Sequence, residues 1–268
     1  MAERPIWLIG CGNMAGAMLA GWLRAGEDPR RFRVIDPGNP SLPNGVERSS
    51  APPEGGFGEA IVQLGFKPHM LADIGPTLRP HIGAETIVIS ILAGVELATL
   101  NAGFPEAGQI VRVMPNTPVA RCKGALGLIA DNPNDPRAQL VAGLMDQLGV
   151  AEWIADEALF DVVTALSGSG PAFLFRFIDA LAQGGIALGL DPEQSQRLAV
   201  ATVQGSAELA AESREDPGVL ADRVASPGGS TRSGLDILDA QDALLTLVRL
   251  TLDAATKRNQ EMAAEARS

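Results

Sequence analysis

The sequence predicts a two-part protein: an α/β domain built on a doubly wound parallel sheet, followed by an all-α domain. Three observations carry this. Up to about residue 155, short β-rich runs alternate with helical runs, the pattern of a parallel sheet covered by helices on both faces. From about Asp156 onward, alanine, leucine and glutamine dominate and strand-like runs disappear. At 268 residues the chain is long enough for two domains of ordinary size, which we place at 1–155 and 156–268.

The expected strands, in order, are Ile6–Ile9, Phe32–Ile35, Ala60–Leu64, Thr86–Ile91, Gln109–Val113 and Leu126–Ala130. Between the first two, Asn13–Ala25 reads as a helix whose Met14, Ala17, Met18, Ala20, Gly21 and Leu23 give an apolar face of small residues. Asp36–Gly58 is rich in proline and glycine and reads as loop, with room for a short edge strand. The second domain is expected as helices at Asp156–Leu166, Pro171–Leu190, Pro192–Glu215 and Ser230 to about Arg258. Turns at Ser167–Gly170, Gly189–Pro192 and Ser226–Gly229 separate them. Helix Pro171–Leu190 has one stripe of Leu174, Phe177, Ile178 and Leu181, with Phe173, Phe175 and Ile186 lying off it. A helix apolar on several sides must be covered on every side, which a small helical domain cannot do alone. A homodimer formed through this domain is expected, with assembly into larger oligomers left open.

Composition excludes several classes. With 46% hydrophobic and 20% charged residues the chain can bury a core, so it is not disordered. The richest apolar stretch, Phe173 to Leu190, carries Arg176, Asp179 and Gln183 at helical spacing, so no membrane partner is expected. The chain reaches a strand-like run by Ile6 with only Arg4 as a basic residue, which is not the pattern of a signal peptide and leaves a cytoplasmic location as the expectation. There are 21 basic against 32 acidic residues, net −11, without a basic cluster, so nucleic acid is not an expected partner. An anionic ligand must then be held by local dipoles and placed donors. Cys11 and Cys122 have no companion Cys or His pattern, so no metal site and no disulfide framework are expected.

The first strand runs into Gly10-Cys11-Gly12-Asn13-Met14-Ala15, which fits the dinucleotide fingerprint of a Rossmann-type fold with alanine in the third small position. Glycines there allow a tight turn and close approach of backbone to a pyrophosphate, whose charge sits on N–H groups at the start of the next helix. An acid, Asp36, ends the next strand, where it can accept from ribose hydroxyls. Gly10, Gly12, Asn13, Met14 and Asp36 are therefore candidate cofactor-binding residues. Three further segments follow strand ends: Lys67-Pro68, Ala93-Gly94 and Met114-Pro115-Asn116-Thr117-Pro118. Lys67, Ala93 and Asn116 join the candidates, Asn116 because it has both the donor and the acceptor a ribose or carboxamide needs.

In the helical half, Ser167-Gly168-Ser169-Gly170-Pro171 and Ser226-Pro227-Gly228-Gly229-Ser230-Thr231 each precede a long predicted helix. Backbone N–H groups at a helix N-terminus with hydroxyls beside them suit a carboxylate. Ordinary capping by Ser169 or Ser230 is the competing explanation, but it does not account for the Gly-Gly pair before Ser230-Thr231.

Taken together and in order, Gly10-Cys11-Gly12-Asn13-Met14, Lys67-Pro68, Met114 to Pro118, Ser167-Gly168-Ser169-Gly170-Pro171-Ala172-Phe173 and Ser226 to Thr231 make the whole chain resemble pyrroline-5-carboxylate reductases. The resemblance implies a Rossmann domain for a reduced nicotinamide cofactor, NADH or NADPH, and an interlocked helical domain that makes the dimer. It implies that Ser226, Gly228, Gly229, Ser230 and Thr231 hold the substrate carboxylate, with Thr231 bonding near the ring nitrogen as the catalytic candidate. It also implies a small-molecule substrate, 1-pyrroline-5-carboxylate, reduced to L-proline. This chain departs from the family pattern at Phe173, where a tyrosine is usual, and at Ala51-Pro52-Pro53, where an asparagine commonly helps bind cofactor. Many of the family favour NADPH, whereas Asp36 argues for NADH, because a carboxylate repels a 2′-phosphate.

The residue inventory supports reduction of an imine rather than a carbonyl. Reducing a ketone creates an alkoxide that must be protonated, usually by Lys, His or Tyr. Lysine occurs only at 67, 123 and 257, histidine only at 69 and 81, and tyrosine is absent. A cyclic iminium already carries its proton, so orientation and electrostatics suffice. A 3-hydroxyacid-type dehydrogenase would need a lysine that this chain lacks between Lys123 and Lys257. A sensor that binds nicotinamide nucleotides without turnover would leave the Ser226–Thr231 loop without a purpose.

Overall fold

The computed structural model of the chain describes residues 4–267. Two compact units emerge, one holding the chain up to Ser169 together with its last residues from Ala255, the other Gly170–Ala254.

The first unit is built on eight strands: β1 (Ile6–Ile9), β2 (Phe32–Ile35), β3 (Glu47–Ser49), β4 (Ile61–Leu64), β5 (Ile87–Ser90), β6 (Gln109–Met114), β7 (Gly124–Ile129) and β8 (Gly149–Trp153). They lie in the order β3-β2-β1-β4-β5-β6-β7-β8. All neighbours are parallel except β6 and β7. The expected all-parallel sheet is thus corrected at one pair. Only residues 115–123 connect β6 to β7, without an α-helix, too little for a parallel crossover, so the chain turns back on itself. The short edge strand for which Asp36–Gly58 left room is β3, though its residues were not singled out, and β8 was not expected. Edge strand β3 (Glu-Arg-Ser) is polar, and β8 alternates half-buried with exposed residues, so neither shows the continuous apolar run of a central strand.

Helices α1 (Asn13–Ala25), α2 (Leu71–Leu78), α3 (Leu97–Gly103) and α4 (Pro136–Asp146) cover the sheet. One core cluster gathers Leu8, Met18, Trp22, Phe32, Val119 and Leu144. The other gathers Trp7, Phe57, Val62, Leu64, Phe104 and Phe160. Trp22 stacks on Phe32 at 5.7 Å and donates its indole N–H to the Leu144 carbonyl at 2.9 Å, so this large aromatic is buried without an orphan donor.

Strand structure ends near the expected boundary at residue 155, but packing continues past it. Phe160 and Ala165 are buried with the sheet unit, and Glu157 pairs with the buried Arg112 while accepting from the Leu97 N–H at 2.9 Å. The Arg112 guanidinium also lies 4.4 Å from the centre of the Phe160 ring. Residues 157–169 therefore cluster with the sheet, and the compact units part after Ser169 rather than at residue 155.

In that segment, the expected helix from Asp156 to Leu166 is a 3₁₀ turn at Glu157–Leu159, a short α5 (Phe160–Val163) and a π-helical turn at Thr164–Gly168. The second unit contains α6 (Gly170–Ala187), α7 (Pro192–Glu212), α8 (Pro217–Val224) and α9 (Ser230–Asp239), and α10 (Ala243–Arg267) begins in it. Helices α6 and α7 form a hairpin in which Ser195 donates to the Ala182 carbonyl at 2.7 Å. The long last helix expected from Ser230 is broken at Gln241 and Asp242, both at positive φ (52° and 55°). By length and composition alone, the continuous helical run Glu157–Ala187 would pass for a membrane span, and 11% of its most apolar window is buried.

Candidate functional site

The nucleotide-binding features lie where a doubly wound sheet puts them, beyond the carboxyl ends of the strands at the β1/β4 switch point. Gly10 leaves β1 at φ +86°, and a Cβ there would come within 2.9 Å of the Phe66 amide nitrogen. Only glycine fits this close pass between the β1 and β4 ends. Helix α1 then starts from Gly12, which caps it without any side-chain hydrogen bond. Its first N–H groups, from Asn13 and Met14 onward, are left to a ligand, and Gly12 and Asn13 are exposed. These residues fit a dinucleotide pyrophosphate, since the amides are open and a Cβ added at Gly12 would meet nothing within 4 Å, standing in the space a ligand needs.

Asp36 stands at the end of β2, half-buried. Its Oδ2 accepts the Cys11 N–H at 2.6 Å and its Oδ1 accepts the Gly38 N–H at 2.7 Å. The carboxylate thus orients the glycine-rich turn and its own loop, and each oxygen keeps a further lone pair for a ribose hydroxyl. Burial, with Asp36 adding to it and Arg48 opposing, raises the pKa of the Cys11 thiol, which stays protonated and packs as a small apolar residue. Arg48 was missed in the sequence because its short polar strand carries no pattern. It donates to the Pro40 carbonyl and so ties β3 back to the loop that Asp36 begins.

Lys67 is exposed just past β4. Ala93 is half-buried beyond β5, and the adjoining Gly94, at φ +75°, lies under Ala263 of α10, whose Cα would be 3.2 Å from an added Cβ. Asn116 corrects an expectation. Its amide is buried, with Nδ2 donating to the Ser167 carbonyl at 3.0 Å and Oδ1 accepting the Ala125 N–H at 3.0 Å. The donor and acceptor assigned to a ribose or carboxamide instead tie the β6–β7 connection to the π-helical turn.

That turn corrects a second expectation. Ser167–Pro171 is not an open helix N-terminus. Ser167 donates to the Val163 carbonyl at 2.9 Å, and the Ser169 N–H reaches back five residues to Thr164, also at 2.9 Å. The hydroxyl and amide are used within one continuous helical run, so this segment does not present a row of donors. Helical turns of this kind are frequent at functional sites, and no periodicity in a sequence marks them.

Within the helical unit, the other serine-glycine segment behaves as the sequence suggests. Gly229, not Ser230, caps α9, and no side chain satisfies the first N–H groups of that helix. Gly228 turns the loop at φ +72°, and the Gly229 N–H closes it onto the Ser226 carbonyl at 2.9 Å. Ser226, Gly228, Ser230 and Thr231 are exposed and Gly229 half-exposed. The loop therefore offers open amides, two hydroxyls beside them and a favourable helix dipole, which together suit a carboxylate. No cluster of three or more His, Cys, Asp or Glu side chains that could hold a metal ion occurs among the described residues.

Residues 157–262 match the family model described as "Pyrroline-5-carboxylate reductase dimerisation", and residues 5–94 match the one described as "NADP oxidoreductase coenzyme F420-dependent". The pyrroline-5-carboxylate reductase of Pseudomonas aeruginosa is 33% identical over 98% of this chain and 98% of its own length. That of Pisum sativum is 34% identical over 95% of this chain and 94% of its own. Among solved structures, a pyrroline-5-carboxylate reductase from Coxiella burnetii superposes with a TM-score of 0.87 at 32% identity, covering 96% of this chain and 98% of that one. The pyrroline carboxylate reductase of Plasmodium falciparum, solved with NADP bound, gives 0.83 at 26% identity, covering 98% and 99%.

Proposed function

Since the chain belongs to the pyrroline-5-carboxylate reductase family, and so reduces 1-pyrroline-5-carboxylate to L-proline with a nicotinamide cofactor, we propose how its residues divide that reaction. The sheet unit holds the cofactor through Gly10, Gly12, Asn13 and Met14 at the start of α1, with Asp36 on the adenosine ribose. The helical unit takes the substrate carboxylate on the amides and hydroxyls of Ser226–Thr231. The observation that carries this division is the start of α9, where Gly229 caps the helix without a side chain and leaves its first amides open beside Thr231.

A bound reduced nicotinamide supplies the hydride. The work left to the chain is to fix the imine and neutralise its carboxylate. The loop amides offset the carboxylate charge through the helix dipole, and the Thr231 hydroxyl can hold the ring nitrogen as it changes from iminium to amine. Because the iminium brings its own proton, no acidic side chain is required there, in keeping with a chain that has no tyrosine and no lysine between Lys123 and Lys257.

Three finer assignments belong to the same proposal. NADH is the preferred cofactor, because a 2′-phosphate would meet the Asp36 carboxylate with like charge. Asn116 acts on the site through the loop it braces rather than by touching the cofactor. The active species is a homodimer assembled through the helical unit, supported by the uncovered apolar side chains of α6, α7 and α10.

The deciding experiment mixes the protein with 1-pyrroline-5-carboxylate and either NADH or NADPH and follows the loss of reduced-nicotinamide absorbance. Turnover with a higher kcat/KM for NADH is expected. Absence of turnover with both cofactors would reject the division of labour, and a higher kcat/KM with NADPH would reject the role given to Asp36.

A further inference from the structure

Arg232 follows Thr231 directly, in the first turn of α9, and its guanidinium is shared by three carboxylates. Nη1 donates to Asp222 at 3.0 Å, Nε to Asp236 at 2.9 Å and Nη2 to Asp239 at 2.8 Å. Asp222 lies in α8, on the near side of the Ala225–Gly229 loop, whereas Asp236 and Asp239 lie in α9, on its far side. One planar side chain therefore ties together the two helices between which the loop is strung. Among the described residues the loop's other ties are short local ones, from the Ala225 N–H to the Asp222 carbonyl, from the Gly229 N–H to the Ser226 carbonyl, and from the Ser233 N–H and hydroxyl to the Gly229 carbonyl at its α9 end. Ser226, Pro227 and Gly228 between them are exposed.

Resting on the assignment of this loop to the substrate carboxylate, we infer that Arg232 is a positioning residue that clamps α8 to α9 and so fixes the open amides that receive that carboxylate.

Two physical effects bear on this. Geometrically, a glycine-turned loop between two helices can shift its amides unless both ends are held, and small displacements of binding groups are costly when the ligand must be oriented. Electrostatically, Asp222, Asp236 and Asp239 place three negative charges close to a site meant for an anion, and Arg232 offsets one while holding the others in a fixed place. A single exposed ion pair contributes little, but three pairs on one guanidinium form a network whose fork geometry lysine cannot copy. The sequence marks the residue only by the Asp at positions 222, 236 and 239, a pattern that has no meaning until the loop is folded.

The two effects predict opposite results for Asp222→Asn. The substitution slackens the tie to α8 but also removes a negative charge. If the clamp matters, KM for pyrroline-5-carboxylate rises about threefold; if only charge matters, KM falls. Arg232→Met should raise that KM about tenfold with little change in kcat. The control substrate is 1-pyrroline, which has the ring imine but no carboxylate, and its KM should be unaltered in both variants. Cofactor affinity, titrated by nicotinamide fluorescence, should be unaltered as well. Arg232→Lys should fail to restore the wild-type KM. A fall in KM for Asp222→Asn, or equal effects on the two substrates, overturns the inference. If Arg232→Met keeps the wild-type KM while Thr231→Ala slows turnover, the clamp is rejected and the loop assignment stands. If Thr231→Ala is also silent, the loop assignment falls and the clamp with it.

Discussion

The sheet unit closes its own core and the helical unit does not. In the former, Trp22, Phe32, Phe104 and Phe160 are fully buried. In Gly170–Ala254, only Ala182, Ser195 and Ala199 are buried among the described residues, while Phe175, Leu188, Leu209 and Leu245 stay 66%, 92%, 70% and 66% exposed. An apolar surface of that extent is what an obligate interface looks like when one half is removed. The difference teaches that this one chain uses two strategies. In the proposed assignment, the unit given the cofactor is stabilised from within, whereas the unit given the substrate loop acquires its core from a second copy. The apolar helix that would pass for a membrane span, with Arg176 and Asp179 on it, is read in the same way, as one half of an interface.

The largest effect that could break this contrast is in the sheet core. Phe104→Ala, at a residue only 1% exposed, should cost ~3–5 kcal/mol of sheet-unit stability. Urea unfolding should show the same loss at every protein concentration; a loss that grows on dilution would mean that the sheet unit also depends on its partner.

Thr231→Ala sharpens the contrast in function. Losing one hydrogen bond to a reacting charged group costs ~1.5–3 kcal/mol, so kcat/KM for pyrroline-5-carboxylate should fall roughly ten- to a hundredfold. Cofactor affinity should hold, because the residues proposed for the cofactor lie in the other unit. Full kcat/KM in the variant would reduce Thr231 to a helix-start residue.

Asp36→Ser makes the reciprocal change. The ratio of kcat/KM for NADH over NADPH should drop about tenfold as the like charge facing a 2′-phosphate disappears. An unchanged ratio would mean that the carboxylate serves only to brace Cys11 and Gly38.

The smallest effect is expected at Gln63. It is fully buried in β4, and neither atom of its amide has a hydrogen-bond partner among the described residues. Gln63→Leu should stabilise the sheet unit by ~1 kcal/mol, read as a rise in Tm. A fall in Tm would show that the amide is satisfied within the core.

The legibility of the sequence follows the same division. Strands β1, β4 and β5 are buried throughout and read as near-continuous apolar runs, so β1 was placed to the residue and β4 and β5 nearly so, while β2, with Arg33 and Ile35 only half-buried, was also placed to the residue. Of the partly exposed strands, β3 was allowed for only as an unplaced edge strand in Asp36–Gly58 and β8 was not legible, because such strands need not be apolar throughout. Helix α8 did carry a signal, the Asp216-Pro217 start in which Asp216 accepts from the Gly218 N–H at 2.8 Å, but no element was assigned between Glu215 and Ser226. The break between α9 and α10 has neither glycine nor proline at Gln241-Asp242 to announce it. In the candidate site, the tight turn at Gly10, the helix start at Gly12, the strand-end position of Asp36 and the open loop at Ser226–Thr231 could be placed from the sequence, because turns and helix starts demand particular residue types. The internal duty of Asn116 and the clamp at Arg232 depend on partners 51 and 10 residues away and could not be read locally.

The central claim, that the helical unit completes its core only with a second copy, is tested most directly by sedimentation equilibrium of the wild-type protein over a dilution series with activity measured in parallel. A particle of twice the 27.9 kDa chain mass is expected, with activity and helical-unit folding lost together wherever dilution splits it. A folded, fully active particle of 27.9 kDa at micromolar concentration would contradict it.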